Sequence, residues 1–397
     1  MSDMPFVELT ELGRDPWRVR CRYACSPDLE PLLWDNRLLG LACSEGVRSE
    51  APILNGAFVS AFAPLGWAYG AELRSPIPVP ASLIESLRSV GTFLQDHYGW
   101  PRHDPFASLT PLAGPEEEDL DLPRHHRGLM FSAGIDSCRA LIDLEQRADL
   151  EQREGAGAAG VDWLIHLSNF ENLDSMTTGE QRADALETTQ AVAQERGLGW
   201  MHLWTNLASV YKHNRLDEKF PDNCSFWLGL MHVHHIFTAL TVIRPLLARV
   251  YLAGGFSELL GRVGSCAGSA AYVDRYAYPA PMELLHETEM RQPKVEALLD
   301  HAPELLRSLR VCYSSGAGTC DRCRKCQATA LMVVAGGGDL AATSFPPTMR
   351  AALVERIEEL RHLPEEGHRF FNQSLAGRAL SGSRQQRWDQ LLARLKS

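Results

Sequence analysis

Two short stretches of the 397-residue chain concentrate residue types that do chemistry. The first, SAGIDS at residues 132–137, follows the apolar run GLMF and sets small and hydroxylated residues around one acid, Asp136. Small residues let backbone N–H groups approach an anion, and a helix starting there directs its positive end at the same point. The hydroxyls of Ser132 and Ser137 can add hydrogen bonds to phosphate oxygens, and Asp136 can hold a magnesium ion. A tight strand-to-helix turn capped by a serine fits the same string equally well. No G-K-S or G-K-T follows, so the Walker pattern is absent.

The second stretch carries Cys312, Cys320, Cys323 and Cys326 in the spacing C-x7-C-x2-C-x2-C. Two overlapping C-x2-C steps put three thiolates within reach of one ion, and the Gly-rich segment between Cys312 and Cys320 brings in the fourth. Four thiolates suit tetrahedral zinc in a structural role, because no coordination position is left for a reacting water. An iron–sulfur cluster is the alternative that cysteine-only ligation leaves open. The other six cysteines, Cys21, Cys25, Cys43, Cys138, Cys224 and Cys266, are scattered and read as small buried hydrophobes. The trio His232, His234 and His235 lacks the i, i+4 spacing of a helical metal site and reads as core or cleft histidines.

The elements that must position these residues alternate in type. RGLMFS reads as a strand, CRALIDLEQRA as a helix, VDWLIHLS as a strand, GEQRADALETTQAVAQERG as a helix, and GWMHLWTN and ARVYLAGG as further strands. Continuous apolar strands alternating with helices predict a doubly wound α/β domain with a parallel sheet over residues 124–340. In such a sheet ligands bind beyond the carboxyl ends of the strands, where the first loop lies; Gly254 and Gly255 follow the fourth strand at the same edge. Residues 1–112 mix short alternating runs, among them APILNGAFVSAFAP from Ala51, with Pro and Gly turns, and are expected to form a small β-rich domain of unassigned role, closed by a helix, ASLIESLRSVGTFLQDHYG from Ala81. The acidic, proline-bounded segment 113–123 reads as a linker, and residues 341–397 as a helical C-terminal extension.

Composition narrows the function classes. The chain has 39 Lys and Arg against 50 Asp and Glu, with no basic stripe, which argues against bulk nucleic-acid or anionic-membrane binding. The N-terminal stretch has neither the basic start nor the apolar core of a signal peptide, so a cytoplasmic location is expected. The apolar run 226–243 has the length of a short membrane span, but its three histidines favour a buried helix.

With both motifs in this order, the chain resembles the PP-loop ATP pyrophosphatase superfamily, whose S-G-G-x-D-S loop is SAGIDS here, with Ala133 in place of the first glycine. The cysteine motif, down to the CY that opens it, is similar to that of the 7-cyano-7-deazaguanine synthase branch, and the likeness covers roughly residues 127–335. The resemblance implies an adenine nucleotide alpha hydrolase-like fold and a loop, Ser132, Ala133, Gly134, Ile135, Asp136 and Ser137, that grips ATP, with Mg2+ at Asp136 and Zn2+ on the four cysteines. It implies further nucleotide contacts at Ser168 and Gly255. The segment ELLHETEMRQPKVEALL resembles the family's strand followed by a lysine at a helix start, which implies a catalytic Lys294 facing the phosphates, with Arg291 and His286 as secondary candidates.

The reaction so implied is adenylation of a carboxylate or amide oxygen, releasing pyrophosphate, and then transfer to a nitrogen nucleophile with loss of AMP. In the deazaguanine synthases the acid is 7-carboxy-7-deazaguanine and the nucleophile ammonia. The added N-terminal and C-terminal segments also resemble extended members found in anti-phage operons, whose acceptor can be a protein. A PP-loop sulfurtransferase and a non-catalytic nucleotide-binding scaffold are the alternatives, and a homodimer is a family expectation.

Overall fold

Alternation along the N-terminal strands decides which way they face. In β2 (Arg18–Cys25) Val19, Cys21 and Tyr23 point inward while Arg18, Arg20 and Arg22 point out, the period-2 pattern of a half-buried strand. The computed structural model of the chain describes residues 4–47, 49–112, 126–154, 160–169, 179–220, 225–254, 273–278, 280–285, 289–312, 318–362 and 369–397. β2 pairs antiparallel with β1 (Phe6–Arg14), through an irregularity between Leu9 and Glu11, and with β3 (Leu38–Cys43). β4 (Glu72–Arg74) adds parallel to β1. β5 (Val79–Pro80) and β6 (Pro111–Leu112) form a separate two-stranded ribbon.

The continuous apolar strands predicted after residue 124 are present: β7 (His126–Met130), β8 (Trp163–Asn169), β9 (Gly199–Thr205), β10 (Leu247–Ala253) and β11 (Met282–Leu285). They join the N-terminal strands in one mixed nine-stranded sheet of order β11-β10-β7-β8-β9-β3-β2-β1-β4. β10 runs parallel to both β7 and β11, whereas β3 meets β9 antiparallel, with Leu41 opposite Thr205 and Cys43 opposite Leu203. The chain is therefore an α/β protein built on a large, mostly parallel mixed sheet.

The first hundred residues depart from the β-rich expectation. Residues from Ala51, read as an alternating run, form a 19-residue helix, α1 (Ala51–Tyr69), whereas the run from Ala81 forms the helix expected of it, α2 (Ala81–Tyr98). The reason is burial: every residue of α1 from Ile53 to Ala68 is buried, so no polar face marks the helical period in the sequence. Gly91 of α2 lets the two helices meet, since a Cβ there would stand 2.2 Å from the Trp67 indole nitrogen. Among the described residues α1 is the one helix long and apolar enough to cross a membrane, and 89% of its apolar window is buried inside the fold. The apolar run from Phe226 is a π turn (Trp227–Met231), with Leu230 and Met231 buried, that continues into α5 (His232–Leu240). It follows α3 (Ile135–Glu154) and α4 (Gly179–Glu195) in chain order.

By contacts the chain divides into two compact units. One comprises Met1–Met130, Ile165–Leu173 and Met201–Thr288, and the other Phe131–Leu164, Asp174–Trp200 and Glu289–Ser397. The second contains both chemical motifs. In it α6 (Arg291–His301) packs along α3, and α7 (Arg324–Ala335) packs against α8 (Met349–Leu360) and α9 (Arg384–Lys396), whose Ser383 and Gln386 close a reciprocal capping box. Leu331, Met349, Leu353, Ile357, Trp388 and Leu391 are buried in this helical core. The linker expected at 113–123 lies outside the described residues.

Candidate phosphate loop and metal centre

The loop that opens α3 is held by its own hydroxyls. Ser137 Oγ donates to the Gly134 carbonyl at 3.1 Å and accepts from the Ser132 N–H at 3.4 Å, and the two serine hydroxyls stand 3.4 Å apart. Ser137 is buried and Ser132 is exposed at the rim. Ala133 between them is fully buried with φ +56°, a left-handed conformation that costs a residue bearing a Cβ about 1–2 kcal/mol. Its carbonyl accepts the Arg310 N–H at 2.9 Å. Ile135 is buried at the first turn of α3.

Asp136 is the acid of this turn. Its Oδ1 accepts from Lys294 Nζ at 2.9 Å, and its Oδ2 lies 3.4 Å from Arg291 Nη2. Both cations come from the first turn of α6, where a spacing of three residues puts them on one face. The Lys294 side chain is 1% exposed, so a helical lysine that composition alone would assign to solvent is buried against the loop. The two cations meet Asp136 at the N-terminal turn of α3, so the first turns of the two helices share one ion-pair cluster.

The remaining candidates sit as follows. Ser168, at the end of β8, gives or accepts a hydrogen bond with His202 Nε2 at 2.9 Å, and His202 stacks on Trp204 with ring centres 4.7 Å apart. This pair belongs to the first unit, and sequence reasoning missed His202, whose only signal is its place two residues from Trp204 on one strand face. Gly255 and His286 lie outside the described residues. Arg310 was also missed; its contribution is a backbone N–H, which no side-chain pattern announces. The histidine trio includes two core residues. His234 is fully buried, with Nδ1 2.8 Å from the Tyr276 hydroxyl and Nε2 on the Ser60 carbonyl; burial lowers its pKa to about 4 and that of His235 to about 3. The carbonyl can only accept, so His234 Nε2 carries the proton and Nδ1 accepts from Tyr276. Cys138 is fully buried, and burial pushes its thiol up to about 12.

The four cysteines converge. Their sulfurs all lie within 4.8 Å of one another, with Cys312 3.4 Å from Cys320 and 3.9 Å from Cys323. Backbone N–H groups of Cys320, Cys323 and Cys326 point at the sulfurs of Cys326, Cys320 and Cys323 at 3.3–3.4 Å, and Cys323 caps α7 through the last of these bonds. Donors aimed at sulfur favour the thiolate form that a metal requires, while burial raises the Cys320 and Cys326 thiols in the absence of a cation. The cluster could hold a metal ion such as zinc. Searches of protein-family models, of curated proteins and of solved structures found no match to this chain.

Proposed function

We propose that the chain is an ATP-dependent adenylating enzyme of the PP-loop type, similar to 7-cyano-7-deazaguanine synthase, with a doubly wound nucleotide-binding fold. The observation that carries this reading is the grouping of Asp136, Lys294 and Arg291 at the loop-to-helix turn. A lysine and an arginine beside a helix N-terminus suit a triphosphate, and the left-handed backbone at Ala133 is one that glycine adopts freely, as at the family's position. On this reading Asp136 would hold magnesium, which would offset charge on the departing pyrophosphate. Lys294 and Arg291 would exchange their carboxylate partner for phosphate oxygens, and the loop N–H groups would face the same anion. A carboxylate oxygen of the substrate attacks the α-phosphorus as the bond to the β-phosphate oxygen breaks; a nitrogen nucleophile then attacks the activated carbonyl and AMP leaves.

Zinc is the ion this reading places on the cysteines: tetrahedral ligation with Zn–S near 2.3 Å sets sulfurs about 3.8 Å apart, close to the 3.4 and 3.9 Å that Cys312 makes. The buried Cys138 counts against the sulfurtransferase alternative, which needs an accessible, acidic thiol. The test is to incubate the chain with magnesium, α-labelled ATP, 7-carboxy-7-deazaguanine and ammonium. Acid-dependent AMP and pyrophosphate, abolished in Asp136→Ala, is the expected result; tight ATP binding with no AMP from this or any other acid would favour the scaffold alternative.

A further inference from the structure

The metal centre and the loop are joined by a short run of main-chain hydrogen bonds. Cys312 is a sulfur of the cluster, and its N–H and that of Val311 both donate to the Gly318 carbonyl, at 3.0 and 2.8 Å. Two residues upstream of Cys312, the Arg310 N–H holds the Ala133 carbonyl, and the Arg310 carbonyl lies 3.7 Å from where a Cβ on Gly134 would be. The Arg310 guanidinium pairs with Asp184 of α4, fixing the same residue from its side chain. Ala133 is the residue held against its conformational preference, and a strained residue persists only where its surroundings over-determine it. Gly318 is itself left-handed at φ +71°, a conformation that a residue with a Cβ adopts only at a cost, and Arg310 Nη1 lies 3.3 Å from its would-be Cβ.

We infer that occupancy of the four-cysteine site sets the geometry of the loop through Arg310, so that metal binding regulates phosphate binding. The inference rests on the phosphate-binding reading of the loop. A bound ion pins Cys312 to Cys320, Cys323 and Cys326, which keeps Val311 and Cys312 on Gly318 and presents the Arg310 N–H to Ala133. Removing the ion replaces metal–sulfur bonds with the weaker sulfur contacts of Cys312 to Cys320 and Cys323, and the looser hold lets Ala133 relax towards a right-handed conformation that turns its peptide groups away from the anion.

The full chain, zinc-loaded and zinc-stripped, is titrated with MgATP by calorimetry, and amide exchange at residues 132–138 and 310–312 is followed in both forms without ligand. Stripping is expected to weaken MgATP binding by about tenfold or more, within the usual range for coupled sites, and to speed exchange at Arg310 while β7 and β10 keep their protection. Equal affinity and equal exchange in the two forms would overturn the inference. If the loaded chain binds no MgATP, the phosphate reading fails, yet the Arg310 exchange still reports whether the two sites are linked. Should the stripped chain unfold, Gly318→Ala, which leaves all four cysteines in place, is expected to retain its zinc and lose about threefold to tenfold in affinity; wild-type affinity and exchange in that variant would also overturn the coupling.

Discussion

Ala133 and Lys294 are the residues at which the local chemistry is most exposed to test. Glycine at 133 removes about 1–2 kcal/mol of left-handed strain but loses a buried methyl and gains unfolded-state freedom, so Ala133→Gly is expected to change stability by less than about 1 kcal/mol. Ala133→Val, with a branched Cβ where none is tolerated, is expected to lose more than about 2 kcal/mol in urea denaturation. Lys294→Met keeps the volume of a side chain that is 1% exposed and leaves Asp136 its contact with Arg291. It is expected to cost less than about 1.5 kcal/mol in stability while weakening MgATP binding about tenfold or more, a separation that calorimetry and thermal melts together can read. An equal loss in both would assign Lys294 to the fold and not to the ligand.

Among the elements, α5 and α7 carry the largest environmental sensitivities. His234 and His235 of α5 stay neutral in the fold down to about pH 4 and about pH 3, against an ordinary value of 6.5. Below pH 6.5 the unfolded chain takes up protons at these positions and the folded chain does not. Stability is therefore full above that pH and falls on acidification by about 1.4 kcal/mol per pH unit for each histidine. His234→Gln, whose amide can still donate to the Ser60 carbonyl, is expected to reduce the slope by about 1.4 kcal/mol per pH unit in melts between neutral pH and about pH 5; an unchanged slope would place the acid sensitivity elsewhere. For α7, whose N-terminus is capped by the Cys323 sulfur, Cys320→Ser and Cys326→Ser are expected to lower metal content from one ion per chain and reduce the melting temperature. Elemental analysis of the purified chain measures the first, and wild-type metal content in either variant would exclude four-thiolate ligation.

At the scale of the whole molecule, the sheet does not stop at the segment where composition changes. β3 supplies the neighbour of β9, and β1, β2 and β4 extend the sheet from there. A fragment beginning at residue 124 would expose the β9 edge and the apolar faces that α1 and α2 cover in the first unit. It is expected to be insoluble or aggregated where the full chain is monodisperse, as size-exclusion chromatography would show; a folded, soluble fragment would make residues 1–112 a dispensable domain.

The sequence by itself determined the α/β character of residues 124 onward, the position of the loop ahead of α3 and the convergence of the four cysteines. Each is written in short-range features: apolar runs of strand length, small residues between a strand and a helix, and thiols at ligand spacing. Tertiary structure alone decided the helical state of Ala51–Tyr69, because a segment buried on every side carries no period. The resemblance had set Lys294 and Arg291 beside the loop; tertiary structure decided that both, more than 150 residues from Asp136, share its carboxylate, and that a backbone N–H at Arg310 holds Ala133. Contacts between distant segments, and those made by the main chain, depend on how elements pack and leave no mark on side-chain type or spacing.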